Sequence, residues 1–159
     1  MLGLSKIIYG VEKCVNLGKI ESWRYMGHAK DDVEMCWKVL QYKKPDDFVI
    51  ATEKQYSVKY FVDQCFNYLG IKIKWTGKGL NENAKIINFN KQKYPLLKKN
   101  MVVIKISKKY FRPNEVNNLI GNASKAKKLL KWKPKINIHQ LIKEMMNADL
   151  KNIRKSNFK

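Results

Sequence analysis

The stretch from Ser57 to Trp75, SVKYFVDQCFNYLGIKIKW, decides the fold class because two periodicities meet in it. Val58, Phe61, Val62, Cys65, Phe66 and Leu69 recur at three- and four-residue intervals, which places them on one face of a helix. Ser57 stands where an N-cap is needed, and Gly70 stands where a helix stops. The next five residues, IKIKW, alternate apolar and polar side chains, as a half-buried strand does. A helix that runs straight into a strand predicts a mixed α/β (α+β) protein.

The flanking sequence extends this pattern. Residues 5–17 place Ile7, Ile8, Val11, Cys14 and Val15 on one helical face, and Gly18 is positioned to end that helix. Residues 29–41 repeat the pattern with Val33, Cys36, Trp37 and Leu40, and Pro45 stops it. DFVIA (47–51) reads as a short strand and MVVIKI (101–106) as another. Between them, residues 77–100 are polar and rich in Asn and Lys, which predicts a long loop or insertion. Ser124 opens a short helix through Leu130, which KWKPK breaks. Asn137 caps a last helix carrying Ile138, Leu141, Ile142, Met145 and Met146. Residues 1–150 read as one unit without internal repeats, and 151–159 as a frayed basic tail.

Composition narrows the classes. The chain has 159 residues and 45% hydrophobic content, suited to one globular domain. No apolar run approaches the roughly 20 residues of a membrane span, and the N-terminus lacks a signal-peptide pattern, so a cytoplasmic protein is expected. Cys14, Cys36 and Cys65 are scattered among apolar residues and read as small buried hydrophobes. Neither histidine has a second histidine or a cysteine nearby, which argues against a metal site.

The net charge is +20. Such a surface suggests nucleic acid or another polyanion. However, lysine outnumbers arginine 30 to three, and Lys, Asn and Ile, all abundant here, share A/T-rich codons. Groove readers favour arginine forks over lysine point charges, and these lysines are not gathered on one helix face. A basic nucleic-acid-binding module therefore remains as the alternative function, not the first.

Two tempting motifs fail. GKGLNE (77–82) begins like a dinucleotide fingerprint but has Glu82 in place of the third glycine and leads into no helix. Tyr9 and Lys13 have the Y-x-x-x-K spacing of a proton-transfer pair. Tyr68–Lys72 and Tyr94–Lys98 share it, as chance predicts in a chain this rich in both residues.

YFRPNE (110–115) holds better. Proline pushes Arg112 into an extended conformation, from which a planar guanidinium can meet a diphosphate at two points. Glu115 lies one short turn on, where a carboxylate can accept ribose hydroxyls. On spacing alone, the plainer reading is a surface Arg–Glu pair worth about 0–1 kcal/mol. In RYMGHAKDD (24–32), Arg24 is the other arginine of an ordered region. Gly27 permits a tight turn, Asp31 or Asp32 suits the first turn of a helix, and His28 suits capping or packing.

Five blocks, RYMGHAKDDVEMCWKVLQ, KPDDFVIAT, YSVKYFVDQCFNYLGIKIKWTGKG, YFRPNEVNNLIGNASKAKKLLKWKP and LIKEMMNADL, resemble in this order the GDP-mannose 4,6-dehydratase family. That family reads R-D-W-G-H-A-K-D, P-D-D-Y-V-I-A-T, Y-F-R-P-T-E-V-D, G-D-x-S-K-A-K and W-K-P. The resemblance covers residue 24 to about 150, with a weaker likeness from Ser5 to Lys19. It implies the C-terminal, substrate-binding portion of a Rossmann-type nucleotide-sugar enzyme. The family, a hydro-lyase, converts GDP-mannose to GDP-4-keto-6-deoxymannose with a tightly held NADP. On matching positions, the resemblance implies that Arg24 and Arg112 hold the diphosphate and Glu115 the guanosine ribose.

The departures carry their own expectations. The family's glycine-rich NADP loop, its dinucleotide-binding sheet, its catalytic Thr and Glu and its Tyr-x-x-x-Lys pair have no counterpart here, so no catalytic, cofactor-binding or metal residue is assigned. RYM replaces R-D-W, and Asn114 replaces a threonine. The isolated chain is expected to bind GDP-mannose or GDP without turning it over. It is expected to need a separate N-terminal half or a homo-oligomer, and to expose apolar helix faces where that half would pack.

Overall fold

The computed structural model describes residues 1–112 and 120–157, so Pro113, Asn114 and Glu115 lie outside the described residues. The opening stretch folds as its periodicities require. Helix α3 (Val58–Tyr68) follows strand β3 (Gln55–Ser57), and strand β4 (Lys72–Thr76) follows α3. Ser57 Oγ accepts the Tyr60 amide at 3.0 Å. Gly70 takes φ +72°, a conformation glycine adopts without a Cβ penalty.

The remaining elements are α1 (Leu2–Ile8), β1 (Val15–Leu17), β2 (Trp23–Tyr25), α2 (Ala29–Leu40), β5 (Asn83–Asn88), β6 (Val102–Ile106), α4 (Ser124–Leu130) and α5 (Ile138–Asn157). One sheet has the order β1-β6-β5-β4, with β1 parallel to β6 and the other pairs antiparallel. A second, two-stranded sheet pairs β2 with β3. Helix α5 packs on α1 and α3 through Ile138, Ile142 and Met146. Together with Phe66, Ile71, Ile86 and Val103 they form the larger core. A smaller core gathers Met35, Ala51, Ala123, Ala126, Leu130 and Trp132.

Several expectations are corrected. The expected loop 77–100 contains β5, with Ala84 and Ile86 wholly buried between β4 and β6. Its flanking Asn and Lys residues hide a period-2 pattern only two buried residues long. The helix expected over 5–17 ends at Ile8, and Gly10 takes φ +73°. Val15–Leu17 instead joins β6 in register Val15↔Ile104 and Leu17↔Ile106, because a parallel partner outweighs a helical period in the β-branched segment. DFVIA forms no strand. Phe48, Ile50 and Ala51 reach the smaller core without a ladder partner. Helix α5 extends through Asn157, into the segment 151–159 expected as the tail.

Helix α2 holds the largest surprise. Its buried residues are Asp31 and Met35, whereas the expected core stripe of Val33, Trp37 and Leu40 is 67%, 62% and 77% exposed. Of the cysteines expected to be buried, Cys65 is, Cys14 is half-buried and Cys36 is exposed.

A carboxylate explains this orientation. Asp31, in the first turn of α2, accepts the backbone amides of Lys135 (3.0 Å) and Ile136 (2.9 Å). Trp132 donates its indole N–H to the Asp31 carbonyl at 3.0 Å. His28 caps the same helix by accepting the Lys30 amide on Nδ1, and its Nε2 lies 3.3 Å from Glu144 of α5. The polar edge of α2 is thereby sewn to the segment that links α4 to α5. Asp31→Ala should cost about 3 kcal/mol in urea unfolding, since two amides lose a charged acceptor. A loss under about 1 kcal/mol would show that water replaces the carboxylate there.

Candidate functional site: a cationic cleft

Three segments converge on one cleft. Strand β2 pairs antiparallel with β3, with Arg24 opposite Tyr56. That ladder holds Arg24 in an extended backbone, and its Nη1 donates to the Trp23 carbonyl at 2.7 Å. Strand β1 ends at Leu17, whose carbonyl accepts the Ser107 amide at 2.8 Å, one residue past the end of β6. Ser107 then turns the chain: its carbonyl accepts the amides of Tyr110 and Phe111. The turn lays the Tyr110 backbone against Gly18. A Cβ at Gly18 would stand 2.3 Å from the Tyr110 carbonyl oxygen, closer than any side chain tolerates.

The resulting cleft, about 370 Å³, is lined by Lys19, Arg24, Lys109 and Arg112, with Leu17, Gly18, Val58 and Tyr110. No carboxylate belongs to this described lining. Four cations sharing one concavity raise the local potential and favour an anion carrying more than one charge. The helix start beside it offers little to such an anion. The Val58 and Lys59 amides already donate to the Ser22 and Ile20 carbonyls, and that of Tyr60 to Ser57. The cationic character of the cleft therefore comes from side chains, two of them planar guanidinium groups.

The structure thus brings Arg24 and Arg112 to the same cleft. Glu115 lies outside the described residues. Lys19 and Lys109 escaped sequence reasoning because nothing distinguishes them among 30 lysines. Only the pairing of β1 with β6 reveals them. The rejected motifs stay rejected. Tyr9 is the C-cap of α1, so Tyr9 and Lys13 do not share a helical turn. Gly77 and Gly79 lead through a short 3-10 turn into β5, and Glu82 is buried against Lys59 at 2.6 Å. These residues do not fit a dinucleotide pyrophosphate. Among the described residues no group of three or more His, Cys, Asp or Glu side chains gathers to hold a metal. No described helix is long and apolar enough to cross a membrane.

Around the cleft, a second close contact fixes the entry to α2. Tyr25 donates its hydroxyl to Asp32 at 2.6 Å, and the ring passes over Gly27, where a Cβ would lie 1.9 Å from that oxygen. Burial first, then the bond to Asp32, pushes the Tyr25 phenol well above its ordinary range.

The architecture matches part of the fold of several solved structures. RMD of Pseudomonas aeruginosa, solved with NADPH, superposes with a TM-score of 0.69 at 10% identity, covering 95% of this chain and 41% of that one. UDP-glucose 4-epimerase of Bifidobacterium longum, solved with NAD+ and UDP, superposes with a TM-score of 0.57 at 17% identity, covering 92% and 36%. This likeness defines the class: part of the fold of NAD(P)-dependent epimerases and dehydratases. Residues 1–145 match the GDP-mannose 4,6 dehydratase family model. GDP-mannose 4,6-dehydratase of Vibrio cholerae serotype O1 is 43% identical over 148 residues, covering 93% of this chain and 40% of the relative. The chain belongs to the GDP-mannose 4,6-dehydratase family. It spans about 40% of the length of the curated relatives it matches.

The geometry makes Gly18 a test of how the cleft is built. Gly18→Ala should cost about 1–3 kcal/mol in urea unfolding, the usual range for an overpacked contact. It should also weaken inorganic pyrophosphate binding measured by calorimetry. Unchanged stability together with unchanged binding would show that the turn at Ser107 does not depend on this contact.

Proposed function

We propose that this chain is the GDP-mannose-gripping portion of a GDP-mannose 4,6-dehydratase, a hydro-lyase that converts GDP-mannose to GDP-4-keto-6-deoxymannose. The observation that carries the reading is that Arg24 and Arg112, distant in sequence, line one cleft together with Lys19 and Lys109. A sugar-linked diphosphate carries two negative charges over four non-bridging oxygens, and those oxygens match two guanidinium forks. Glu115, three residues beyond Arg112, would accept the guanosine ribose hydroxyls, as the family resemblance implies.

The chemistry at the sugar belongs elsewhere. The family's NADP supplies hydride exchange at the hexose. The residues of this chain bind and orient the nucleotide end, and the described glycine turns do not fit a dinucleotide. The isolated chain therefore binds without turnover. Activity requires the part of the family chain that this sequence does not span.

Calorimetric titration of GDP-mannose at moderate salt tests this. Saturable binding is expected, with Arg112→Ala weakening it by about 2 kcal/mol, roughly 30-fold, for a lost charged contact. Arg24→Ala should do the same. Binding that ignores both substitutions would overturn the assignment. So would binding that a random oligonucleotide displaces equally well and that falls steeply with salt.

A further inference from the structure

We propose that Glu82 is a positioning residue for the cationic cleft: its ion pair with Lys59 sets the stance of the two walls that carry the four cations. The proposal rests on the reading of that cleft as a diphosphate site. Neither Glu82 nor Lys59 belongs to the lining, so both act through other residues.

Each wall can be traced through backbone bonds. One carries Lys19 and Arg24 and hangs from the first turn of α3, where the Val58 and Lys59 amides donate to the Ser22 and Ile20 carbonyls at 3.1 and 2.9 Å. The other carries Lys109 and Arg112 and grows from the end of β6, where the Ile106 amide donates to the Glu82 carbonyl at 3.2 Å. The ladder of β1 with β6, the Leu17–Ser107 bond and the close approach at Gly18 join the walls, but none of these contacts ties α3 to β6. Phe66 and Ile104 share the larger core, and such apolar packing is non-directional. The directional tie is made by side chains. Lys59 Nζ lies 2.6 Å from Glu82 Oε1, linking the first turn of α3 to the turn before β5.

The pair is itself held in place. The Glu82 side chain is 6% exposed. The Lys59 ammonium stands 4.9 Å from the centre of the Trp75 ring, and Trp75 donates its indole N–H at 2.8 Å to Asp63, one turn further along α3. A buried ion pair adds little net stability once desolvation is counted. Its contribution here is to geometry. Two effects of Glu82 on an anion in the cleft then oppose each other in sign. Its negative charge weakens binding through the long-range field, whereas its hold on Lys59 strengthens binding by keeping the walls in register.

Glu82→Gln separates the two effects, because it keeps the shape and removes the charge. Calorimetry with pyrophosphate and GDP-mannose should show binding weakened about tenfold, the worth of one charged contact, although the chain has become more positive. Glu12→Gln dissolves the exposed pair with Lys6 and controls for charge alone. It should bind as the parent does or slightly tighter. In the ligand-free chain, Glu82→Gln should speed amide exchange in segments 17–24 and 105–112 and leave α2 unchanged. Binding equal to the parent's or tighter overturns the proposal, and so does unchanged exchange in both segments. If Glu82→Gln fails to fold, Glu82→Asp carries the same test, since it keeps the charge and shortens the reach. Lys59→Arg added to it should restore binding by lengthening the other partner, and a folded Glu82→Asp chain that binds as the parent does overturns the proposal. A folded parent that gives no heat with either anion overturns the diphosphate reading instead. Amide exchange then decides by itself whether Glu82 holds the walls.

Discussion

The buried carboxylate of Asp31 is the contact on which the arrangement of this protein turns. It accepts two consecutive backbone amides, at Lys135 and Ile136, and the preceding tryptophan returns a bond to the Asp31 carbonyl. A charge this far from water, 3% exposed, is tolerable only when its lone pairs are met. That requirement sets the rotation of α2 about its axis, with Asp31 and Met35 turned inward. It also docks the link between α4 and α5, which closes the smaller core over Trp132 and Ala126. The exposure of Trp37 and Leu40 is the other face of the same decision.

The cationic cleft follows from a comparable constraint at a different place. Four cations sharing one concavity repel one another, so the geometry must be imposed by the backbone. The imposing contacts are the parallel pairing of β1 with β6, the bond from Ser107 to Leu17, and the absence of a Cβ at Gly18. Arg24 comes from a separate two-stranded sheet, tied to the first turn of α3 through the carbonyls of Ile20 and Ser22. These contacts fix where the four cationic side chains sit relative to one another.

Legibility varied with the length and purity of the local pattern. Helix α3 and strand β4 were readable because cap, stripe and stop agreed over nearly twenty residues. Strand β6, helix α4 and the start of α5 were readable for similar reasons. Strand β5 was not, since only Ala84 and Ile86 reveal its alternation among Asn and Lys. Helical spacing from Ile7 to Val15 described two elements as one, because Val15 fits a helix face and a strand equally well until β6 is present beside it. For α2, period and length were right, but hydrophobicity could not name the inward face. A single aspartate with two amide partners more than a hundred residues away outweighed four apolar side chains.

By itself, the sequence determined the mixed α/β class, the caps and breaks of the principal helices, and the two arginines worth following. These rest on local chemistry: serine capping α3, glycine stopping it, and arginine standing out in a chain of lysines. Tertiary structure alone decided that Arg24 and Arg112 share a cleft, that Lys19 and Lys109 join them, and that the apolar stripe of α2 faces outward. Each of those outcomes depends on a hydrogen bond or a close approach between segments far apart in the chain, and no local periodicity encodes such a pairing.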